Sequence, residues 1–339
     1  MAAGYREVAV TLEQAADQHK KAVDLYKFEL ELVGKSLQDK AGYQAKASEA
    51  EEEGKMILSA GYREAIVTSE QAVNQGELSA MKFSTSTYEG LYWLSEALCL
   101  RTQADYQSKA IEAEEAGKAT LGAGYREASM TLIRAAEQHK QSAQLCVIGS
   151  CSDLGYSTWH GIGRSIQAKA NYQAKASEAK EEGKEILAAI YAGAAIISER
   201  AADQFKQAVE AYIAGKESER KNWVSAGEAF ESQVEYQVTS MEAQETGKTI
   251  LAIGYSEAAI TSQQAADQFI LAAETTKVGK ENEGGSWGNE GSSLQKKADY
   301  QVKLCKAEKI NQITRAANYR EAIIVLQRWT PKFGPVVKL

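Results

Sequence analysis

The octapeptide Tyr-Gln-Ala-Lys-Ala-Ser-Glu-Ala stands at residues 43–50 and again, unchanged, at 172–179, with related octapeptides opening at Tyr106, Tyr236 and Tyr300. Successive members of this series stand about 64 residues apart, a regular period of the kind that marks repeat architectures. A second series, opened by Ala-Gly-Tyr-Arg-Glu or a variant of it, runs through Tyr5, Tyr62, Tyr125, Tyr191, Tyr255 and Tyr319. A third runs through Trp93, Trp159, Trp223 and Trp287. Three independent series sharing one period define a tandem array, in which each unit buries its apolar stripe against an equivalent neighbour.

Each period divides in two, because residues 104–118 align with residues 202–216: Ala-Asp, an aromatic, spaced alanines, then Gly-Lys. The elementary unit is therefore about 32 residues, close to the two-helix solenoid repeats. Inside a unit the apolar residues Ala201, Ala202, Phe205, Ala208, Val209 and Tyr212 recur every three to four positions, the helical period. The alanine-rich composition with only two prolines favours helix throughout, and no useful strand-like alternation occurs. Gly-Lys pairs at 34–35, 54–55, 117–118, 183–184, 215–216, 247–248 and 279–280 suit helix ends, where glycine adopts the left-handed cap conformation cheaply. The expected fold is all-α: two-helix repeats of about 32 residues, paired into periods of about 64, forming one elongated right-handed solenoid over residues 1–329. A rival reading, in which each helix pair runs on as one long helix, stays open because the junctions carry no strong breaker. Pro331 and Pro335 forbid further helix and predict an extended tail over 330–339.

A bulky residue followed four positions later by a tiny one recurs at Trp159/Gly163, Trp223/Gly227 and Trp287/Gly291, with Trp93/Ala97 as a variant. Each of these tryptophans is followed, at one constant spacing, by a tyrosine of the octapeptide series: Tyr106, Tyr172, Tyr236 and Tyr300. Residues 222–243, with Trp223, Gly227, Tyr236 and Ala243, carry the pattern most fully, and here the chain resembles the tetratricopeptide repeat family. That family pairs a Trp-like residue with a Gly or Ala four positions on, then a Tyr-then-Ala pattern in its second helix. The likeness is degenerate: Ala50, Ala113, Ala179 and Ala243 stand where the family favours a large aromatic, Lys46, Lys109 and Lys175 where it favours alanine, and its inter-repeat proline is missing. The resemblance implies stacked helical hairpins, with Trp159 and Trp223 buried against Tyr172 and Tyr236. It also implies a concave groove lined by the residue after the small glycine.

Much is excluded. The net charge of −7 argues against nucleic acid as the main partner. No apolar run approaches the roughly 20 residues that span a bilayer, and the polar N-terminal stretch does not read as a signal peptide. Four scattered cysteines (Cys99, Cys146, Cys151, Cys305) read as reduced thiols, so a cytoplasmic location is expected. His19 and His139 hold the slot that Phe205 and Phe269 hold later, a packing role, and neither these nor His160 shows metal-ligand spacing. Gly34-Lys35 and Gly247-Lys248 look like phosphate-loop endings, but Glu29 and Glu242 replace the glycine such a loop needs at the corresponding earlier position. The acidic runs at 49–55 and 178–184 read as solvated helix faces. No nucleophile, base and acid form a constellation, so no catalysis, cofactor or metal is expected.

What remains is the tyrosine series. In the tetratricopeptide register Tyr5, Tyr62, Tyr125, Tyr191, Tyr255 and Tyr319 line the groove, with Arg6, Arg63, Arg126 and Arg320 beside them. Tyr and Arg dominate protein-binding hot spots. The alternative for any one tyrosine is simple packing against the neighbouring repeat. The sequence therefore predicts a non-enzymatic scaffold holding a peptide or helix of a partner protein. A structural protein assembling end to end into fibres, as a homo-oligomer through open solenoid ends, is the alternative, and a subunit whose catalytic part lies elsewhere a minor third.

Overall fold

The structure, a computed structural model, describes residues 2–22, 27–83, 86–145, 153–309 and 312–329. Among them the chain forms eleven helices and no strand: α1 (Ala2–Ala22), α2 (Lys27–Glu52), α3 (Met56–Phe83), α4 (Thr87–Glu115), α5 (Ala119–Leu145), α6 (Asp153–Glu181), α7 (Glu185–Ile213), α8 (Glu217–Glu245), α9 (Thr249–Lys277), α10 (Glu281–Lys309) and α11 (Ile313–Trp329). Sequential helices pack on one another, an all-α tandem-repeat solenoid. The predicted tail at 330–339 lies outside the described residues.

The unit of about 32 residues is one helix, not two. Six of the helices have 29 residues, about 43 Å of rise, and a hairpin takes the whole period of about 64 residues. Nothing in mid-unit outweighs packing. An interior glycine costs about 1 kcal/mol against alanine, far less than a proline, and the buried stripe runs unbroken through each junction. Trp223 and Tyr236 consequently sit on the same straight helix, about 20 Å apart along its axis, and the expected ring-on-ring contact does not form. Of the two tryptophans expected to be buried, Trp223 is and Trp159 is only partly so; the Trp223 indole Nε1 donates to Glu219 Oε1 (3.4 Å).

Six of the seven Gly-Lys pairs do end helices. Gly54, Gly117, Gly183, Gly215, Gly247 and Gly279 all have φ between +69° and +84°. At Gly117 the amide donates to Glu114 O (3.0 Å) and the next amide, of Lys118, to Ala113 O (2.8 Å), the paired bonds of a Schellman cap. Lys118 O then accepts from Gly122 N (3.0 Å), so the next helix starts at once and the chain reverses within a short corner. Gly34-Lys35 is the exception: it lies inside α2, where Gly34 is buried.

The chain divides into two compact units, Met1–Ala195 and Ile196–Leu339. In the first, α4 touches α2 and α6 as well as its sequence neighbours; in the second, α8 touches α10. Within each unit the even-numbered helices thus form a layer in mutual contact, with odd-numbered helices laid over it. The core between the layers is small-residue packing: Ala65, Ala97, Ala128, Ala170 and Ala194 in the first unit and Ala201, Ala226, Ala258, Ala265 and Ala298 in the second are fully buried. The glycine four positions after each of three tryptophans is a seat for a ring. A Cβ on Gly163 would meet the His139 ring at 2.4 Å, one on Gly227 the Phe205 ring at 2.8 Å, and one on Gly291 the Phe269 ring at 2.9 Å. Among the described residues no helix is long and apolar enough to cross a membrane.

Candidate partner-binding surface

The predicted tyrosines lie between helices. Tyr62, Tyr125, Tyr191 and Tyr255 are 6–8% exposed and Tyr319 is half-buried, while the side chains of Tyr5 and Arg6 lie outside the described residues. Four of these rings meet a tyrosine of the octapeptide series across their own hairpins. Tyr106 and Tyr125 stack at 5.8 Å, Tyr172 and Tyr191 at 6.2 Å, while Tyr236–Tyr255 and Tyr300–Tyr319 meet at 6.0 Å with more tilt. The two tyrosine series of the sequence are therefore the two halves of one set of ring pairs. Lysines of the repeated octapeptide cover them: Lys109 Nζ is 5.7 and 5.8 Å from the Tyr106 and Tyr125 ring centres, and Lys175 Nζ 6.0 and 5.3 Å from Tyr172 and Tyr191. This accounts for lysine where the tetratricopeptide pattern carries alanine.

The phenol hydroxyls reach forward to the next hairpin. Tyr62 donates to Glu112 Oε1 (3.0 Å), Tyr125 to Glu178 Oε1 (2.7 Å), Tyr106 to Asn171 Oδ1 (3.1 Å) and Tyr236 to Asp299 Oδ1 (3.0 Å). Burial, then the hydrogen-bonded carboxylates, raise the ionisation of Tyr62 and Tyr125 well above the usual phenol range; burial brings Tyr106 to about 12. The arginines are exposed but engaged. Arg63 pairs with Glu51 (2.5 Å), Arg126 with both oxygens of Glu114 (2.5 and 2.6 Å) and Arg320 with Glu308, each partner lying on the preceding helix. The Glu114 carboxyl is held below its usual range chiefly by that hydrogen bond to Arg126. The rings thus belong to the packing between hairpins, and the guanidinium groups brace the corners. The expected open stripe of tyrosine is replaced by buried pairs.

A different row is exposed. Five positions after each series tyrosine stand Val10, Val67 and Met130 in the first unit and Ile196, Ile260 and Ile324 in the second, all between 47% and 68% exposed. Five steps turn a helix by about 140°, so a tyrosine facing inward sends this position outward. Every exposed large hydrophobic side chain among the described residues belongs to an odd-numbered helix or, at Val278, to the turn that follows one. Sequence reasoning took apolar residues at helical spacing as core; the usable signal was one slot filled six times by Val, Met or Ile.

Beside this row run grooves, each walled by two consecutive odd helices and floored by the even helix between them. In the first unit Glu7, Arg63 and Ile66 wall a groove of about 350 Å³ whose floor is Gln44, Ala47, Ser48 and Glu51 of α2. The second unit repeats it in the same register at about 520 Å³, with Glu257, Arg320 and Ile323 on the walls and Gln301, Leu304, Cys305 and Glu308 on the floor. Ile250, Ile253 and Ile324 add apolar wall there.

Other reactive side chains are committed to packing. His139 is fully buried, neither ring nitrogen finds a hydrogen-bond partner, and burial followed by the nearby His160 (5.4 Å between rings) lowers its pKa to about 3. Cys99 and Cys305 are buried free thiols with ionisation pushed up by burial. Buried Glu96 is pushed up to about 7 by burial. Gly247 and Lys248 spend their amides on a helix cap, the phosphate-loop resemblance notwithstanding. Among the described residues no group of three His, Cys, Asp or Glu side chains could hold a metal ion; the side chains of His19, Cys146 and Cys151 lie outside them. Compared with protein-family models and with curated proteins, the sequence gives no match.

Proposed function

We propose that the chain is a non-enzymatic scaffold that holds a peptide or helix of a partner protein on its odd-helix face. The exposed apolar positions Val10, Val67 and Met130 in the first unit, and Ile196, Ile260 and Ile324 in the second, carry this reading. Solvent-facing helix positions have no folding reason to stay apolar, and exposed apolar side chains repeated along one face of a unit mark interaction. A single exposed Val needs no explanation; six at one repeat position, one per hairpin step, do. The likeness to tetratricopeptide repeats supports the same reading, since stacked helices offer extended surface and little chemistry. Burial of His139, Cys99 and Cys305 as neutral groups supports a structural use of the residues that otherwise do catalysis.

Photo-crosslinking tests it. A photoreactive side chain at 67, 130 or 260, in extract of the cells that make the protein, is expected to yield one discrete heterologous adduct. The same group at Lys221 or Lys296, exposed on even-numbered helices, is expected to yield none. Adducts only between copies of the chain, or equal labelling from all five positions, would overturn the reading.

A further inference from the structure

Resting on that reading, we infer that the groove between α9 and α11 takes a basic amphipathic helix. Its walls run from Ile250 to Glu257 and from Arg320 to Gln327, and its floor from Gln301 to Glu308. Each stretch rises about 10 Å, roughly two helical turns. An extended peptide leaves its backbone amides and carbonyls for the receptor to pair, and this unit is built of helices whose own amides are already used. A helix brings its own backbone bonds and needs only an apolar ridge at i, i+3 or i+4, and i+7. Ile253 and Ile324 face that ridge from the two walls, with Leu304 beneath.

The charge of the groove selects the ridge's flanks. Three ionic side chains line it: Glu257, Glu308 and Arg320. Arg320 is tied to Glu308, and no cation among the described residues reaches Glu257. One uncompensated carboxylate beside exposed apolar walls, on a protein of net charge −7, favours lysine or arginine next to the ridge and disfavours acidic partners.

Two labelled helical peptides of about 15 residues test this on the full chain by fluorescence anisotropy. Both carry leucine at i, i+4, i+7 and i+11; one has lysines on the flanks and the other glutamates. The lysine peptide is expected to bind at least about tenfold more tightly, Glu257→Lys to reverse that order, and Ile253→Ser combined with Ile324→Ser to weaken both by about tenfold or more. Equal binding of the two peptides would overturn the basic-partner inference and leave helix docking intact. Binding of neither, or binding unchanged in the double serine variant, would remove the groove as a site, while discrete adducts from positions 67 and 130 would still uphold the scaffold reading. Concentration-dependent sedimentation that the double serine variant abolishes would make a second copy the occupant and overturn the inference.

Discussion

Gly254 of α9 and Cys305 of α10 meet so closely that a methyl group has no room: a Cβ on Gly254 would stand 2.5 Å from Cys305 Cβ and 2.8 Å from its Sγ. Gly61 repeats the relationship against Ile111, and Gly124 against Ser177. The glycine before each of these series tyrosines therefore sets the distance between an odd helix and the even helix after it. Gly254→Ala is expected to destabilise by about 1–3 kcal/mol through overpacking. Cys305→Gly in the same chain should recover part of that loss. Gly193 faces open space, so Gly193→Ala should instead stabilise by about 0.5–1 kcal/mol, as removal of glycine from a helix interior does. Urea unfolding of the three variants checks both signs.

The corners make a separate prediction. Gly117 meets nothing within 4 Å, so only its φ of +75° resists a side chain. Gly117→Ala is expected to cost about 1–2 kcal/mol, the usual strain of a left-handed L-residue, and Gly117→Asn less. Thermal melts followed by circular dichroism would show the order Gly, Asn, Ala.

Acid sensitivity should trace to the buried histidines. Burial, then His160, lowers His139 from 6.5 to about 3, and burial, then Arg164, lowers His160 to about 4. The unfolded chain takes up these protons near pH 6.5 and the folded chain does not. The stability they contribute is therefore full above 6.5 and lost as pH falls toward 3, on the order of 4 kcal/mol for His139. Glu96 opposes this, since its raised value favours the folded state as pH falls from 7 toward 4.5. His139→Phe, which installs the ring found in the same slot at 205 and 269, is expected to flatten the decline below pH 6.5. Denaturant midpoints measured from pH 7 to 4 decide it; an unchanged slope would contradict the assignment.

The ring pairs give the alkaline counterpart. A phenol whose folded-state value is raised contributes stability below its ordinary value near 10, lost as pH climbs past it. Phenolate absorbance and helicity should therefore change together above pH 10, with the buried tyrosines ionising only as the chain unfolds. Tyr125→Phe keeps the ring and loses the bond to Glu178, so it should cost about 1 kcal/mol, whereas Tyr125→Ala should cost about 3–5 kcal/mol.

Period, helical class and six of the helix ends were legible in the sequence because each rests on a local rule: spacing, propensity or a left-handed glycine. The packing role of His139 was legible too, because Phe205 and Phe269 fill its slot. Helix length was not, since a glycine well inside a helix, such as Gly227 of α8, is compatible with a break or with a close approach. The facing of a repeated position was not legible either. Periodicity shows that Tyr62, Tyr125 and Tyr255 are equivalent, but Val67, Met130 and Ile260 are equally periodic and equally apolar. Which row turns outward depends on a rotation of about 140° fixed only when two neighbouring helices pack.

The tight corner at six of the seven Gly-Lys pairs also constrains how such a gene can change length. Every corner inverts the polarity of all that follows, so loss of a single-helix unit would point each later helix the wrong way and transpose the two layers. Gain or loss in pairs leaves direction and layer intact. The identical octapeptides at 43 and 172 lie two full periods apart, a separation that fits copying of whole hairpins. Relatives should accordingly differ in size by whole hairpins, and deletion of a single helix should disrupt the fold.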